Sequence, residues 1–341
     1  MTKKEAVIAS KRYQEKELRT YESLAASVEE YVTKAIRQEL PDIKVVSITH
    51  RAKNPDSYRK KLEKEKYVST DQITDKAGIR IILYREGDFG IVSAFIERLF
   101  RVDKKNSVDK RKELGTDRVG YRARHFIVRF RNNPDSRALY EEYLNLCCEI
   151  QITSIIAHAW SEINHDKGYK VAGTLPASLE RKRYLIAGLL EVADKELNSY
   201  TRLYDNYVKT TKKKIEKSQL NETLNSVSLQ CYIKQKFKHI KEVSFRDEEQ
   251  VLLELEGYGL NTIKELDAII PKDYVKRMKD IEFRSIDGIV RNVMIIHDAD
   301  RYFKYAWNHE NKVMDKENYN LYLSYGIEID EICKRRHIEV V

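Results

Sequence analysis

From Val7 to Leu40 apolar side chains recur at helical spacing, with Leu18, Tyr21, Leu24, Ala25, Val28, Tyr31, Val32, Ala35 and Ile36 on one broad face. That periodicity predicts one or two packed helices. Pro41 stops the pattern, and Val45 to Thr49 then reads as a short strand opening into a basic segment, His50 to Lys66. A second strand is expected over Gly78 to Tyr84, a helix over Val92 to Phe100, and two more strands over Phe126 to Phe130 and Cys147 to Ile152. Strands alternating with helices predict a mixed α/β domain with one central sheet. From Leu179 to Tyr207 a long helix is expected, with Ile186, Leu189, Leu190, Ala193, Leu197, Tyr200, Tyr204 and Tyr207 on one stripe. Lys212-Lys213-Lys214 and the polar run Ser218 to Ser228 break the apolar signal, which divides the chain into residues 1–217 and a mainly helical accessory domain, 218–341. Turn marks in the second part fall at Gly257, Gly259, Pro271, Gly288 and Gly326.

Charge changes this picture. Lys and Arg outnumber Asp and Glu by 44 to 32 in residues 1–220 but are outnumbered 19 to 22 in residues 221–341. The positive charge therefore belongs to the α/β part, where it would draw in a polyanion such as a nucleotide or an RNA end. Solubility alone would explain a lysine-rich composition as well. Cys147, Cys148, Cys231 and Cys333 lack C-x-x-C spacing and any framework pattern, which speaks against structural zinc and disulfides and for a reducing compartment. No apolar run reaches the ~18 residues of a membrane span, and no export signal is recognisable at the N-terminus, so a cytoplasmic protein is expected.

Several segments carry candidate chemistry. Arg51-x-Lys53-x-x-x-Ser57-x-x-x-Lys61 would gather Lys53, Ser57 and Lys61 on one side of a loop leading into a helix, a surface suited to a triphosphate; a solvated helix face is the bland alternative. Asp75 stands at the mouth of the apolar strand Gly78 to Tyr84, from which Arg80 emerges. In Cys148-Glu149-Ile150-Gln151-Ile152, Glu149 and Gln151 share one face of an otherwise apolar strand. Two carboxylates on adjacent strands could share one Mg²⁺, with Glu149 also accepting a proton from a ribose hydroxyl; the alternative is a salt-bridged sheet face. Tyr121, in a turn with Arg122 and Arg124, offers a platform for a purine base. His158, Glu162 and His165 fall near one helical face, but without the H-E-x-x-H order, so a supporting or packing role outranks zinc binding.

Taken in order, these segments resemble the synthetase domain of RelA/SpoT-type alarmone synthetases, over about Val45 to Tyr207. The resemblance rests on Arg-x-Lys-x-x-x-Ser-x-x-x-Lys, the Asp-x-x-Gly-Ile-Arg strand, the Gly-Tyr-x-x-x-His turn, and Glu-Ile-Gln-Ile followed by His-Ala-Trp-x-Glu-Ile-x-His. It implies a nucleotidyltransferase-like mixed sheet and a pyrophosphokinase that moves pyrophosphate from ATP to the 3′-hydroxyl of GDP or GTP. It further implies Arg51 and Arg80 at the adenine, Lys53, Ser57 and Lys61 on the ATP phosphates, and Asp75 and Glu149 on Mg²⁺. Glu149 would double as general base, Tyr121 would stack on the acceptor base, and His125, Gln151 and His158 would line the acceptor side.

The family's common Ser in the Gly-Tyr turn is Ala123 here, and its usual Arg-Thr after Glu-Ile-Gln-Ile is Thr153-Ser154. These departures bear on the acceptor, because the family also includes toxins that pyrophosphorylate the tRNA 3′ end, some restrained by a C-terminal domain. Residues 218–341 would restrain the first domain, mediate homo-oligomerisation or bind a regulator. A non-catalytic nucleotide- or RNA-binding module is the rival class, and retention of both carboxylates and the ATP-side cations argues against it. Two His-Asp pairs invite a hydrolase reading, but the first lies inside the synthetase motif, and His297-Asp298 is expected to be a helix cap or loop.

Overall fold

The computed structural model describes residues 2–64, 67–113, 119–120, 123–168, 176–240, 242–278, 283–307 and 313–341, with backbone alone at 112, 165–168, 242 and 283–284. It divides into two compact units, residues 1–201 and 202–341, with the division inside a helix rather than at the polar run after Lys217.

The first unit opens with helix α1 (Lys3–Arg12), fixed by a capping box in which Thr2 and Glu5 satisfy each other's backbone N–H groups. A π-helical turn (Tyr13–Glu17) leads into α2 (Leu18–Glu39), whose Leu24, Ala25, Val28, Val32, Ala35 and Ile36 form the buried face that the periodicity predicts. Next come β1 (Val45–Ala52), α3 (Pro55–Leu62), β2 (Ala77–Leu83), α4 (Phe89–Leu99), β3 (Phe100–Val102), β4 (Val108–Asp109), α5 (Lys110–Glu113) and β5 (Ala123–Phe130). They are followed by α6 (Pro134–Tyr140), β6 (Cys148–Ser154), α7 (Ile155–Gly168) and α8 (Ala177–Glu216). The strands form one mixed sheet in the order β1-β2-β6-β5-β3, with β4 also on β5. Among the described residues of this sheet, β2 and β6 pair in parallel and the other neighbours antiparallel.

Register sorts the sheet into two unlike faces. Paired residues share a face and successive residues alternate. Ile79, Ile81, Ile150, Ile152, Phe126 and Val128 therefore turn to one side, where they join α2 and α4 in the core. The opposite side carries two rows: Arg51, Gly78, Glu149 and Ile127, then Thr49, Arg80, Gln151 and His125.

Two features depart from the sequence expectations. Phe100 begins a strand rather than ending a helix, and β3 and β4 are too short to show a period of two. The long helix does not bury its apolar stripe: Leu189 is 70% exposed, whereas Ala187 and Asp194 are buried. A hydrogen bond from the Ser154 hydroxyl to the Asp194 carboxylate fixes that side of α8, so a polar pair outweighs the hydrophobic pattern there.

The second unit is mainly helical, with α9 (Ser226–Lys236), α10 (Glu248–Tyr258), α11 (Ile263–Ile269), α12 (Tyr274–Arg277), α13 (Ile286–His297), α14 (Ala299–Arg301), α15 (Lys316–Ser324) and α16 (Ile329–Arg336). Two parallel ribbons accompany them, β7 (Glu242–Ser244) with β8 (Phe283–Ser285) and β9 (Val313–Met314) with β10 (Glu339–Val340). Its core is separate, built from residues such as Leu229, Phe237, Tyr258, Ile289, Val293 and Phe303. Gly259 ends α10 at φ 88°, as a turn mark should, but Gly288 lies in the first turn of α13, under the Ser285 cap. Asp298 caps α14, and the His297 ring meets the Tyr258 hydroxyl at 2.7 Å.

A Cβ at Gly257 would lie 2.6 Å from the Tyr305 carbonyl oxygen, so that helix can approach its neighbour only without a side chain. Gly257→Ala should cost about 1–3 kcal/mol in urea unfolding. Gly90→Ala, where a Cβ in α4 meets nothing within 4 Å, should instead gain up to about 1 kcal/mol.

Candidate active site

The polar rows converge on two carboxylates. Lys53 continues the β1–β2 ladder through its N–H to the Lys76 carbonyl (2.8 Å), and Asn54 then caps α3 with Pro55 in the first turn. Tyr58 and Leu62 are the buried residues of α3, and Lys61, half-buried, flanks them. The Lys53 and Lys61 ammonium groups both donate to Asp75 Oδ2, at 2.7 and 2.8 Å. Asp75 Oδ1 is buried and has no hydrogen-bond partner among the described residues. Burial pushes the Asp75 carboxyl up, but the two lysines outweigh it and hold the group below its ordinary value.

Glu149 is held from both sides. Its Oε1 faces the His125 Nδ1 at 2.9 Å, and its Oε2 accepts from the Gln151 amide at 2.7 Å. Burial raises this carboxyl, and the hydrogen bond and charge of His125 together with the Gln151 bond bring it below the usual range, against a contribution from Asp75 that raises it. Lys61 also feels Glu149, so the two carboxylates and the lysines form one electrostatic group. Both acids are thus kept ionised in a half-buried place.

Arg80 leaves β2 toward α7, where its Nη1 donates to Glu162 Oε1 (2.7 Å) and lies 3.3 Å from the His158 Nδ1. Burial first, and then Arg80, push the His158 ring below its ordinary pKa, opposed by Glu162. Arg51 is exposed in the row of Glu149. Ser57 is exposed and its backbone N–H is bound to Asn54 Oδ1 at 3.2 Å; its side chain joins none of the hydrogen bonds around Asp75. Tyr121 lies outside the described residues, as do the side chains of His165 and Asp166. Ala123, Thr153 and Ser154, where the sequence departs from the family pattern, are all fully buried.

The N-terminal helices supply support that sequence reasoning missed. The Tyr13 hydroxyl donates to the Lys53 carbonyl (2.9 Å), and the Ser10 hydroxyl to that of Pro55 (2.8 Å), so the turn carrying the lysine is tied at two points. Lys76, next to Asp75, is drawn away from the site by Glu17 (2.9 Å) and the face of Tyr21. A polar helix studded with tyrosines was the available signal.

Among the described residues no three His, Cys, Asp or Glu side chains gather closely enough to hold a metal ion alone. The donor set nonetheless suits a hard cation that keeps waters and substrate oxygens, because Asp75 Oδ1 is an unsatisfied buried carboxylate oxygen beside a second acid.

The arrangement sets paired acids and lysines on one face of the sheet. Residues 50–174 match the family described as the region found in RelA/SpoT proteins. Among solved structures, the small alarmone synthetase 1 from Bacillus subtilis is similar at 20% identity and a TM-score of 0.48, over 57% of this chain and 99% of its own. The small alarmone synthetase 2 of the same organism is similar at 21% and 0.47, over 56% and 98%. Synthetase 1 bound to AMPCPP is similar at 17% and 0.45, over 57% and 99%. No curated protein matches the chain. No helix among the described residues is long and apolar enough to cross a membrane.

His125→Ala should raise the Glu149 carboxyl pKa in an NMR titration. A depressed carboxyl stabilises the fold above its unfolded value and loses that contribution as pH falls through the folded one. The variant should therefore begin to lose stability at a higher pH than the parent; an unchanged Glu149 titration would mean that His125 does not hold it.

Proposed function

We propose that the chain is a pyrophosphokinase that transfers pyrophosphate from ATP to the 3′-hydroxyl of GDP or GTP, making (p)ppGpp. The observation that carries this reading is the pairing of two ionised carboxylates, Asp75 and Glu149, with two lysines that share a single Asp75 oxygen. Lysines held this way can exchange Asp75 for phosphate oxygens with little movement of backbone. The match of residues 50–174 to the RelA/SpoT region supports the same reading.

In this reaction the acceptor 3′-oxygen attacks the β-phosphorus of ATP, the bond from that phosphorus to the bridging α–β oxygen breaks, and AMP leaves. Glu149 takes the hydroxyl proton, and His125 and Gln151 fix which way its oxygens point. Lys53 and Lys61 clamp the phosphate chain, and Arg51 and Arg80 stand on the adenine side. Asp75 and Glu149 would hold Mg²⁺, which neutralises charge on the phosphates when bound. Tyr121 stacks on the acceptor base, and His158 lines the acceptor side.

The test is to incubate the full chain with ATP labelled at the γ-phosphate and with GDP, GTP or deacylated tRNA, with and without Mg²⁺, and to separate the products. Label on GDP or GTP is expected; label confined to tRNA would replace the acceptor, and label on none would sink the transfer reading. Glu149→Gln should lower turnover at least about a thousandfold while ATP binding stays within about threefold. Lys53→Met should weaken ATP binding itself, by roughly tenfold or more.

A further inference from the structure

Two hydroxyls stand on a helix face where apolar side chains would be expected. Ala6 and Ser10 of α1 and Tyr13 of the turn after it follow at steps of four and three, the spacing of one helical face, and all three are buried. α1 packs on α3, where Tyr13 stacks on Tyr58 with ring centroids 4.6 Å apart, and Ala6, Leu62 and Ile73 complete the cluster. Phenylalanine at position 13 would fill the same space. A buried hydroxyl costs free energy unless it is hydrogen-bonded, so the bond it makes must at least offset that cost.

The Tyr13 hydroxyl sits where β1 and β2 part. Their ladder runs to the pair Ala52 and Ala77, and Lys53 adds one more bond, from its N–H to the Lys76 carbonyl at 2.8 Å. Asn54 and Pro55 then turn away into α3. The Tyr13 hydroxyl donates to the Lys53 carbonyl at 2.9 Å and lies 3.5 Å from that of Lys76. Those carbonyls belong to Lys53 itself and to the residue after Asp75, so one hydroxyl spans the backbone behind both members of the 2.7 Å ion pair. Ser10 holds the next part of the turn, the Pro55 carbonyl, at 2.8 Å. Burial, with Tyr21 and Tyr58 beside it, raises the Tyr13 hydroxyl above its ordinary pKa, which keeps it a donor at neutral pH.

Resting on the pyrophosphokinase reading of this site, we propose that Tyr13 is a positioning residue for ATP. Its hydroxyl fixes where the Lys53 backbone leaves the sheet, and so sets the reach of the Lys53 ammonium to the phosphate chain. Lysine is a long, flexible side chain, and on an untethered turn part of the binding free energy would go into ordering it. When the ammonium leaves Asp75 for a phosphate oxygen, the hydroxyl remains its fixed point. The acceptor side, built on His125 and Gln151 of β5 and β6, does not depend on this bond.

The test measures ATP binding to the full chain, without acceptor, by titration calorimetry in a double-mutant cycle of Tyr13→Phe and Lys53→Met. Tyr13→Phe keeps the ring stack and removes only the hydroxyl. It should weaken ATP binding about five- to tenfold, the effect of one hydrogen bond. In the Lys53→Met background the same change should have less than about a twofold effect, because the side chain it positions is gone. In transfer kinetics the KM for ATP should rise while the KM for the acceptor stays within about twofold. Ser10→Ala, which loosens the same turn at its other tie, should act in the same direction and serves if Tyr13→Phe does not fold. An undiminished effect in the Lys53→Met background, equal changes in the two KM values, or a lower melting temperature with ATP affinity unchanged would each overturn the proposal. Binding is read without turnover, so a chain that labels no acceptor yet shows the coupling would lose only the transfer reading. A chain that makes product but shows no coupling would lose only the role of Tyr13.

Discussion

A sheet covered on one side by a hydrophobic core can place ionised groups on its other side only if each has a partner, because an isolated buried charge neutralises itself by shifting its pKa. The structure of residues 1–201 follows from meeting that condition twice. Asp75 is paid for by two lysines on one oxygen, and Glu149 by an imidazole and an amide on its two oxygens. Either carboxyl would otherwise be driven up by burial. The pairing leaves the lysines and His125 beside the acids, where a substrate could compete for them.

Satisfying those charges requires the backbone to hold still. The Lys53 turn joins an edge strand to a short helix, and its carbonyls are bound by Tyr13 and Ser10 from the N-terminal helices. Tyr13 itself stacks on Tyr58 of α3 at 4.6 Å, in a small separate cluster with Leu62 and Ile73. The N-terminal helices therefore act as a brace for the lysine turn as well as a cover for the sheet. Arg80 shows the same logic on another strand, since Glu162 and His158 hold its head in place.

The second unit solves the problem differently. Glu254 is fully buried inside a helical core and is satisfied by Arg291, Tyr302 and Gln250 together. Removing Arg291 would strand the carboxylate, at a cost of about 3–5 kcal/mol. The network also explains why α10, α13 and the π-helical turn Tyr302–Ala306 come close, with Gly257 admitting the Tyr305 carbonyl.

Much of this was legible in the residues alone. Alternation of Glu149 and Gln151 with isoleucines fixed which side chains share a face, since the period of a strand is two, and helical spacing in residues 18–36 fixed the buried face of α2. What the sequence could not determine was anything set by contacts between distant segments. The sharing of Asp75 by Lys53 and Lys61, the bracing of that turn by Tyr13, the drawing off of Lys76 by Glu17, and the burial of Asp194 rather than Leu189 each depend on residues brought together only by folding. Local periodicity reports which side of an element is apolar. It is silent on which partner a charge will find, because that is decided by strand order and helix docking.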